Sequence, residues 1–254
     1  MKFTDQMNRD VWLDSYPERI VSLVPSQTEF LFDLGLKNRM VGLTKFCVRP
    51  RGFKATKTIV GGTKNFHLDR IRALSPDLII GNKEENDRMG INRLADDYPV
   101  WMSDVNDLED AYQMMYSLGE ITGKSEEAQK IIEEVSLKFA RQFPSKGTAI
   151  YLIWQNPMMA AGSGTFINAM LDISGFKNLV EDNRYPEISL EQIRELNPDF
   201  LLLSTEPYPF KEEDVLQFGK TYSNSKVRLV DGEIFSWYGS RLRLAPDYFA
   251  ELLP

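Results

Sequence analysis

The sequence predicts an α/β fold made of two related lobes joined by one long helix. The first observation is a block that occurs twice, with residues 68–80 reading LDRIRALSPDLII and residues 190–202 reading LEQIRELNPDFLL. Each copy has the pattern of a helix, a turn at Pro-Asp and a buried apolar strand. The second observation is that an earlier strand-then-helix unit precedes each copy, at 19–34 and at 149–173. This shared order of elements indicates a duplicated lobe.

The third observation is a long amphipathic segment at the middle of the chain, residues 125–143. Ser125 can cap its start, Pro144 ends it, and its length corresponds to a rod of roughly 28 Å. Its apolar side chains recur every three or four residues, as one helical face requires: they are Ala128, Ile131, Ile132, Val135, Phe139 and Phe143. We therefore expect an N-terminal α/β lobe over 1–106, a helical connector over 107–146 with its backbone helix at 125–143, and a C-terminal α/β lobe over 147–254.

Two helix starts carry the pattern of a capping box, in which a serine side chain and an acidic or amide side chain satisfy each other's backbone N–H groups. Ser26 with Glu29 forms the pattern in the first lobe, and Ser189 with Gln192 forms it at the second copy of the repeat.

The composition excludes several classes of function. A length of 254 residues with 43% hydrophobic and 26% charged residues is ordinary for a soluble globular protein. The net charge of −7 argues against nucleic acid and against anionic lipid surfaces as partners. The chain has a single histidine, His67, whereas transition-metal sites built on histidines usually use several. No metal site is therefore predicted.

No apolar run approaches the ~20 residues that span a membrane, so no membrane span is predicted. The N-terminus also lacks the apolar core of a secretory signal. Two alternatives follow: the protein stays in the cytoplasm, with Met1 as its true start, or an export or lipoprotein signal was removed.

The glycine-containing segment 162–164 fails the tests for a catalytic or phosphate-binding motif. A dinucleotide-binding motif would need glycine where Ile167 stands, and a nucleophile elbow would need glycine in place of Ala161 and Thr165. His67 is the one histidine that a catalytic triad could use, and it lies at a helix start without a nucleophile nearby in sequence. We predict no catalytic residues and no enzyme activity.

Aromatic and sulfur-containing side chains gather in loops and at strand ends, where open α/β sheets present ligands. They are Phe46, Phe66, Trp154, Met158, Met159, Tyr185, Trp237 and Tyr238. Arg184 and Arg241 lie beside them in the sequence. Loops of this kind on two facing lobes would enclose a large, flat, partly apolar ligand. The alternative that Phe46, Phe66 and Trp154 belong to the core stays open.

Asp69 and Glu191 occupy the same position in the two copies of the repeat. One interpretation is that each carboxylate complements the dipole of its helix. The other is that the two carboxylates form a matched pair that binds basic sites on a twofold-related partner. The residues alone leave both interpretations open.

Three segments resemble the helical-backbone (class III) substrate-binding proteins of ABC importers: 19–29 (RIVSLVPSQTE), 68–76 and 236–241. The likeness covers nearly all of residues 5–252 and is greatest to the cobalamin-binding members, with siderophore and haem binders as cousins. It implies two Rossmann-like lobes, a rigid connecting helix, a ligand cleft between the lobes and small hinge motion. It also implies docking on a membrane permease through one acidic residue per lobe, which favours Asp69 and Glu191 as docking residues.

The resemblance also places cleft residues near Phe46, Met159, Tyr185 and the 233–237 segment. Thr63 stands where the cobalamin binders have a tryptophan, which weakens the assignment of cobalamin itself. The complete set of ligand-binding candidates is Phe46, Thr63, Phe66, Trp154, Met159, Tyr185, Glu233, Trp237, Tyr238 and Arg241.

The hypothesis from sequence is a monomeric substrate-binding component of an ABC importer, located in the periplasm or cell envelope and without an intrinsic cofactor. It would deliver a cobalamin-like corrinoid or an iron chelate to a permease and its ATPase subunits. Siderophore or haem is the alternative ligand, and haem would take Tyr185, Tyr238 or His67 as an axial ligand. A cytoplasmic cofactor-handling protein or an enzyme on the same fold is the alternative function.

Overall fold

The computed structural model describes residues 1–252 and divides into two compact units. The first unit contains residues 1–105, 109–136 and 238–241, and the second contains the other described residues. Within the described chain, no helix is long and apolar enough to cross a membrane.

The first unit is built on a five-stranded parallel sheet with the strand order β5-β4-β3-β6-β7. A short antiparallel hairpin, β1 with β2, precedes it. The elements are β1 Lys2–Thr4, β2 Asp10–Trp12, β3 Ile20–Ser22, α1 Pro25–Asp33, β4 Met40–Leu43, β5 Thr58–Ile59, α2 Leu68–Ala73, β6 Leu78–Asn82, α3 Arg88–Ala95, β7 Val100–Ser103, α4 Leu108–Thr122 and α5 Ser125–Phe139.

The second unit has a parallel sheet in the order β10-β8-β11-β12, and β9 pairs antiparallel with β8. Its elements are β8 Gly147–Trp154, β9 Met159–Ala160, α6 Phe166–Ile173, β10 Phe176–Asn178, α7 Leu190–Leu196, β11 Phe200–Ser204, α8 Glu212–Thr221, β12 Lys226–Val230, α9 Gly232–Ser236 and α10 Ala245–Glu251.

The duplicated block has the same structure in both units. In one copy α2 leads into β6, and in the other α7 leads into β11; both strands have a parallel neighbour on each side. All five residues of each strand are buried, which is why both strands are apolar without alternation. The predicted α/β fold of two related lobes is confirmed.

The long central helix ends at Phe139, four residues before the predicted boundary at Phe143. The Phe143 ring instead meets the ring of Phe249 edge-on, with the centroids 6.0 Å apart. A tertiary contact therefore takes the side chain that the periodicity assigned to the helix face. The division between the units falls inside α5, after Ser136, so most of the predicted connector belongs to the first unit.

One of the two predicted capping boxes is present. Ser189 and Gln192 satisfy each other's backbone N–H groups at the start of α7. The box at Ser26 is wrong, because α1 begins at Pro25 with Val24 as its N-cap and no side-chain cap. Glu29 pairs with Arg241 instead.

Candidate functional site

The carboxyl ends of β3, β4, β6 and β7 lie at one edge of the sheet in the first unit, and a buried polar network lies at the ends of β6 and β7. The Gln27 side-chain amide, at the start of α1, donates to the Ser103 hydroxyl. Asn82 Nδ2 donates to the same hydroxyl at 3.0 Å, and Asn86 Oδ1 accepts from the Asn82 backbone at 2.7 Å. The bonds of Gln27 and Asn82 to Ser103 join α1, β6 and β7, and the Asn82–Asn86 bond closes the turn after β6, so the network holds this part of the edge in one arrangement.

Phe46 follows β4 and is the candidate that the first unit exposes most, with 49% of its surface accessible. The Lys45 ammonium lies 4.9 Å from its ring centroid, and Gly62 lies against the ring edge. A large apolar side chain left this open at the carboxyl edge of a parallel sheet is suited to contact a ligand.

Thr63 and Phe66 lie in the loop that follows Gly62. The Thr63 carbonyl accepts from Asn86 Nδ2 at 3.0 Å, which ties the loop to the polar network. Phe66 is half-buried and packs on the hydrophobic core of the first unit, next to Gly90. Its ring therefore contributes to packing, which the sequence had left open.

Tyr238 and Arg241 belong to the first unit although they lie late in the chain. Tyr238 is 5% exposed, and its hydroxyl donates to Glu85 Oε1 at 3.5 Å. Arg241 forms a bidentate ion pair with Glu29, with N–O distances of 2.7 and 2.8 Å. Both side chains are thus engaged within their unit.

In the second unit, Trp154 ends β8 with 39% of its surface accessible. Its ring meets the Tyr208 ring edge-on at 5.8 Å, and Met159 lies opposite Trp154 across the β8–β9 pair. These three side chains form an aromatic and thioether patch at the end of the strand. Tyr185 is half-buried in the segment between β10 and α7.

The glycine-containing segment 162–164 pairs with the backbone of 182–184. Gly162 N–H donates to the Arg184 carbonyl at 2.7 Å, and Ser163 N–H donates to the Asp182 carbonyl at 2.9 Å. The Arg184 guanidinium donates to the Gly164 carbonyl and, at 2.8 Å, to Asn106 Oδ1. The close approach of these two backbone segments accounts for the glycines, so a phosphate-binding role is not needed to explain them.

An acidic corner follows β11 and β12 in the second unit. The Glu206 carboxylate accepts from Trp237 and, at 3.3 Å, from the Ser236 hydroxyl. Trp237 is buried, with 7% of its surface exposed. Burial first, and then the charges of Glu233 and Asp231, raise the pKa of Glu206 to about 7.

The raised pKa makes the stability of the second unit depend on pH. Its ordinary value is 4.5, so the folded state binds the proton more tightly between pH 4.5 and 7. The contribution of Glu206 to stability is present in full below that window and is lost as the pH rises through about 7. We expect a loss on the order of 2–3 kcal/mol between pH 5 and 8, measured by urea unfolding across the pH range.

Glu206→Gln should flatten this pH dependence, because the amide does not titrate. Glu213→Gln, which changes an exposed glutamate on α8, is the control and should keep the slope of the unaltered protein. A Glu206→Gln slope equal to that of the control would show that another group titrates.

The docking candidates lie at equivalent helix starts. Asp69 is the second residue of α2, and its side chain is 99% exposed. Glu191 is the second residue of α7 and is also exposed. His67 precedes α2 as its N-cap residue without a capping side-chain bond. Across residues 1–252, no group of three or more His, Cys, Asp or Glu side chains is placed to hold a metal ion.

Sequence reasoning missed Glu206 and Tyr208. Both follow β11 directly, around Pro207, and the position of a polar or aromatic residue just after a buried strand was the available signal. The partnership of Tyr208 with Trp154 and of Glu206 with Trp237 joins residues far apart in sequence, so no local pattern could have shown it.

Comparison with known proteins gives consistent results. Residues 20–228 match the model of a family described as periplasmic binding protein. An ABC transporter substrate-binding lipoprotein of Bacillus subtilis is 26% identical, over 97% of this chain and 83% of that protein. A vitamin B12-binding protein of Pectobacterium carotovorum is 23% identical, over 93% of this chain and 88% of that protein. The crystal structure of a periplasmic heme-binding protein from Pseudomonas aeruginosa superimposes with a TM-score of 0.80 at 21% identity, covering 93% of this chain and 91% of that one.

Proposed function

Because this chain belongs to the periplasmic binding protein family, we propose that it is the substrate-binding component of an ABC importer that carries a corrinoid or an iron chelate. The family match over residues 20–228 is the observation that carries the proposal. Members of this family bind and release a ligand, in keeping with the prediction that the chain is not an enzyme. We place the protein in the cell envelope, because its relatives include a lipoprotein and periplasmic proteins. We also propose that it acts as a monomer.

The exposed aromatic side chains support a large, flat ligand. Phe46 in the first unit and Trp154 in the second both stand open at the carboxyl edge of a parallel sheet. Rings presented in this way bind planar groups by stacking and by burial of apolar area. The relatives named for vitamin B12 and for heme carry ligands of this kind.

A corrinoid is the first choice and haem the second. Haem would need an axial side chain, but the Tyr238 hydroxyl donates to Glu85 and the residue is buried. Tyr185 and His67 are then the remaining axial groups among those that the sequence suggested. A corrinoid brings its own metal ligands and needs only stacking and polar contacts.

Asp69 and Glu191 are the proposed docking residues for the permease. Both carboxylates project from the start of a helix that the duplication repeats in each unit. A basic partner surface can meet them without displacing any element of either unit. The ligand is then delivered to the permease and its ATPase subunits.

Calorimetric titration with cyanocobalamin, hemin and a ferric siderophore tests the proposal. We expect saturable binding of one of the three, and Trp154→Ala should weaken it at least tenfold because the stacking surface is lost. Trp12→Ala is the matched control: Trp12 is exposed in the β1–β2 hairpin, away from the sheet edge. Absence of binding to all three ligands, or equal affinity of the two variants, would contradict the proposal.

A further inference from the structure

We infer that Asp69 and Glu191 contribute unequally to docking on a basic permease surface, and that Glu191 contributes the larger share of the binding free energy. This inference rests on the proposed function, since it presumes docking through these two helix starts. It is drawn from the cations around each carboxylate rather than from their equivalence in the repeat.

At Asp69 a cation of the same helix competes with any partner. Arg72 Nη1 lies 3.7 Å from Asp69 Oδ1, one helical turn away. The same guanidinium makes a closer pair with Asp97, with Nη2 to Oδ2 at 3.1 Å. Arg72 therefore stands between two carboxylates and offsets part of the charge of Asp69.

At Glu191 the equivalent cation is held elsewhere. Arg194 lies three residues after Glu191, as Arg72 does after Asp69, but its guanidinium carbon lies 5.9 Å from the centroid of the Tyr222 ring. Among residues 1–252 Glu191 has no ion pair within 4 Å, so an incoming cation meets no competitor bound to it. A ring face attracts the guanidinium by about 0.5–1 kcal/mol at an exposed site, as much as a surface ion pair contributes.

Packing and a hydrogen bond fix the Tyr222 ring in the position from which it holds the Arg194 guanidinium. It is buried, its ring stacks with that of Phe218 at 6.1 Å and 17°, and its hydroxyl donates to the carbonyl of Leu190 at 3.2 Å. Leu190 is the first residue of α7, directly before Glu191. Tyr222 is thus a positioning residue: it holds Arg194 over its ring and anchors the start of the helix that presents Glu191.

The numbers of charged residues on α2 and α7 also favour Glu191 as the stronger docking residue. The helix α2 carries one carboxylate and two guanidinium groups, from Asp69, Arg70 and Arg72. The helix α7 carries two carboxylates, Glu191 and Glu195, and one guanidinium. A basic surface is therefore attracted more strongly to the second unit, so the two contacts with a permease of twofold character differ in strength.

Neutralising Asp69 and Glu191 one at a time tests whether they contribute unequally to permease binding. The probe is the cognate permease with its ATPase subunits in nanodiscs, and the measurement is its affinity for the ligand-free protein at two salt concentrations. We expect Glu191→Gln to weaken binding at least tenfold and to reduce the salt dependence, and Asp69→Asn to weaken it no more than threefold. Arg72→Gln should tighten binding, because it removes the competitor of Asp69.

Two variants of Tyr222 test its positioning role. Tyr222→Phe keeps the ring over Arg194 and should bind as the unaltered protein does. Tyr222→Leu releases Arg194 toward Glu191 and should weaken binding three- to tenfold, and adding Arg194→Gln to that variant should restore it. Thermal melting shows which variants are folded, and the surface variants Glu191→Gln, Asp69→Asn and Arg72→Gln decide the question if Tyr222→Leu does not fold.

The outcomes separate this inference from the proposed function. Equal losses for Asp69→Asn and Glu191→Gln, or a larger loss for Asp69→Asn, would overturn the inequality while docking through both residues stands. Undiminished binding of both variants would overturn the docking itself. A Tyr222→Leu defect that Arg194→Gln fails to restore would show that Tyr222 acts only on the fold.

Discussion

Glu29→Ala is expected to lower the free energy of unfolding by about 3–5 kcal/mol, because it leaves the charge of Arg241 buried without its bidentate carboxylate. Only 9% of the Arg241 side chain and 16% of the Glu29 side chain are exposed. The pair also fastens the late segment 238–241 to α1 of the first unit. Urea unfolding followed by circular dichroism measures the loss.

An exposed ion pair supplies the control. Asp97→Ala breaks the closer pair of Arg72, whose partners are 43% and 49% exposed, and should change the free energy of unfolding by less than about 1 kcal/mol. Glu29→Leu combined with Arg241→Met removes both charges at once and should recover most of the stability. A Glu29→Ala loss no larger than that of Asp97→Ala would show that water reaches the pair.

Gly162→Ala is expected to destabilise the second unit by about 3 kcal/mol, the upper end of what overpacking usually causes. A Cβ at this position would overlap the Asp182 carbonyl oxygen and lie 3.2 Å from the Arg184 carbonyl oxygen. Those atoms belong to a backbone that pairs with 162–163 through hydrogen bonds of 2.7 and 2.9 Å, so they cannot move away without breaking those bonds. The midpoint of urea unfolding measures the effect.

Gly219→Ala is the matched control on the same unit. Gly219 lies inside α8, where an added Cβ would meet nothing within 4 Å. Alanine there should stabilise the protein by about 0.5–1 kcal/mol, since it restricts the unfolded chain and favours the helix. If the two glycine variants had the same stability, the close backbone approach at Gly162 would be contradicted.

The candidate site was predictable to the extent that it depends on position along the sequence. Phe46 follows β4 and Trp154 ends β8, and the structure leaves both side chains exposed at a sheet edge. Burial was not predictable for Trp237 and Tyr238, whose neighbours Glu206 and Glu85 come from distant parts of the chain. The ion pair of Arg241 was not predictable either, because its partner Glu29 lies 212 residues away.

By itself, the sequence determined the α/β class, the duplicated lobe and the carboxylates at the two helix starts. These features follow from local periodicity and from the sequence repeat, and neither depends on contacts between distant parts of the chain. The tertiary structure decided where α5 ends, which aromatic rings are buried, and that Glu29 pairs with Arg241 rather than capping α1. Those outcomes depend on which distant side chains meet, and the free energy of such contacts outweighs local preference at a helix end or a loop.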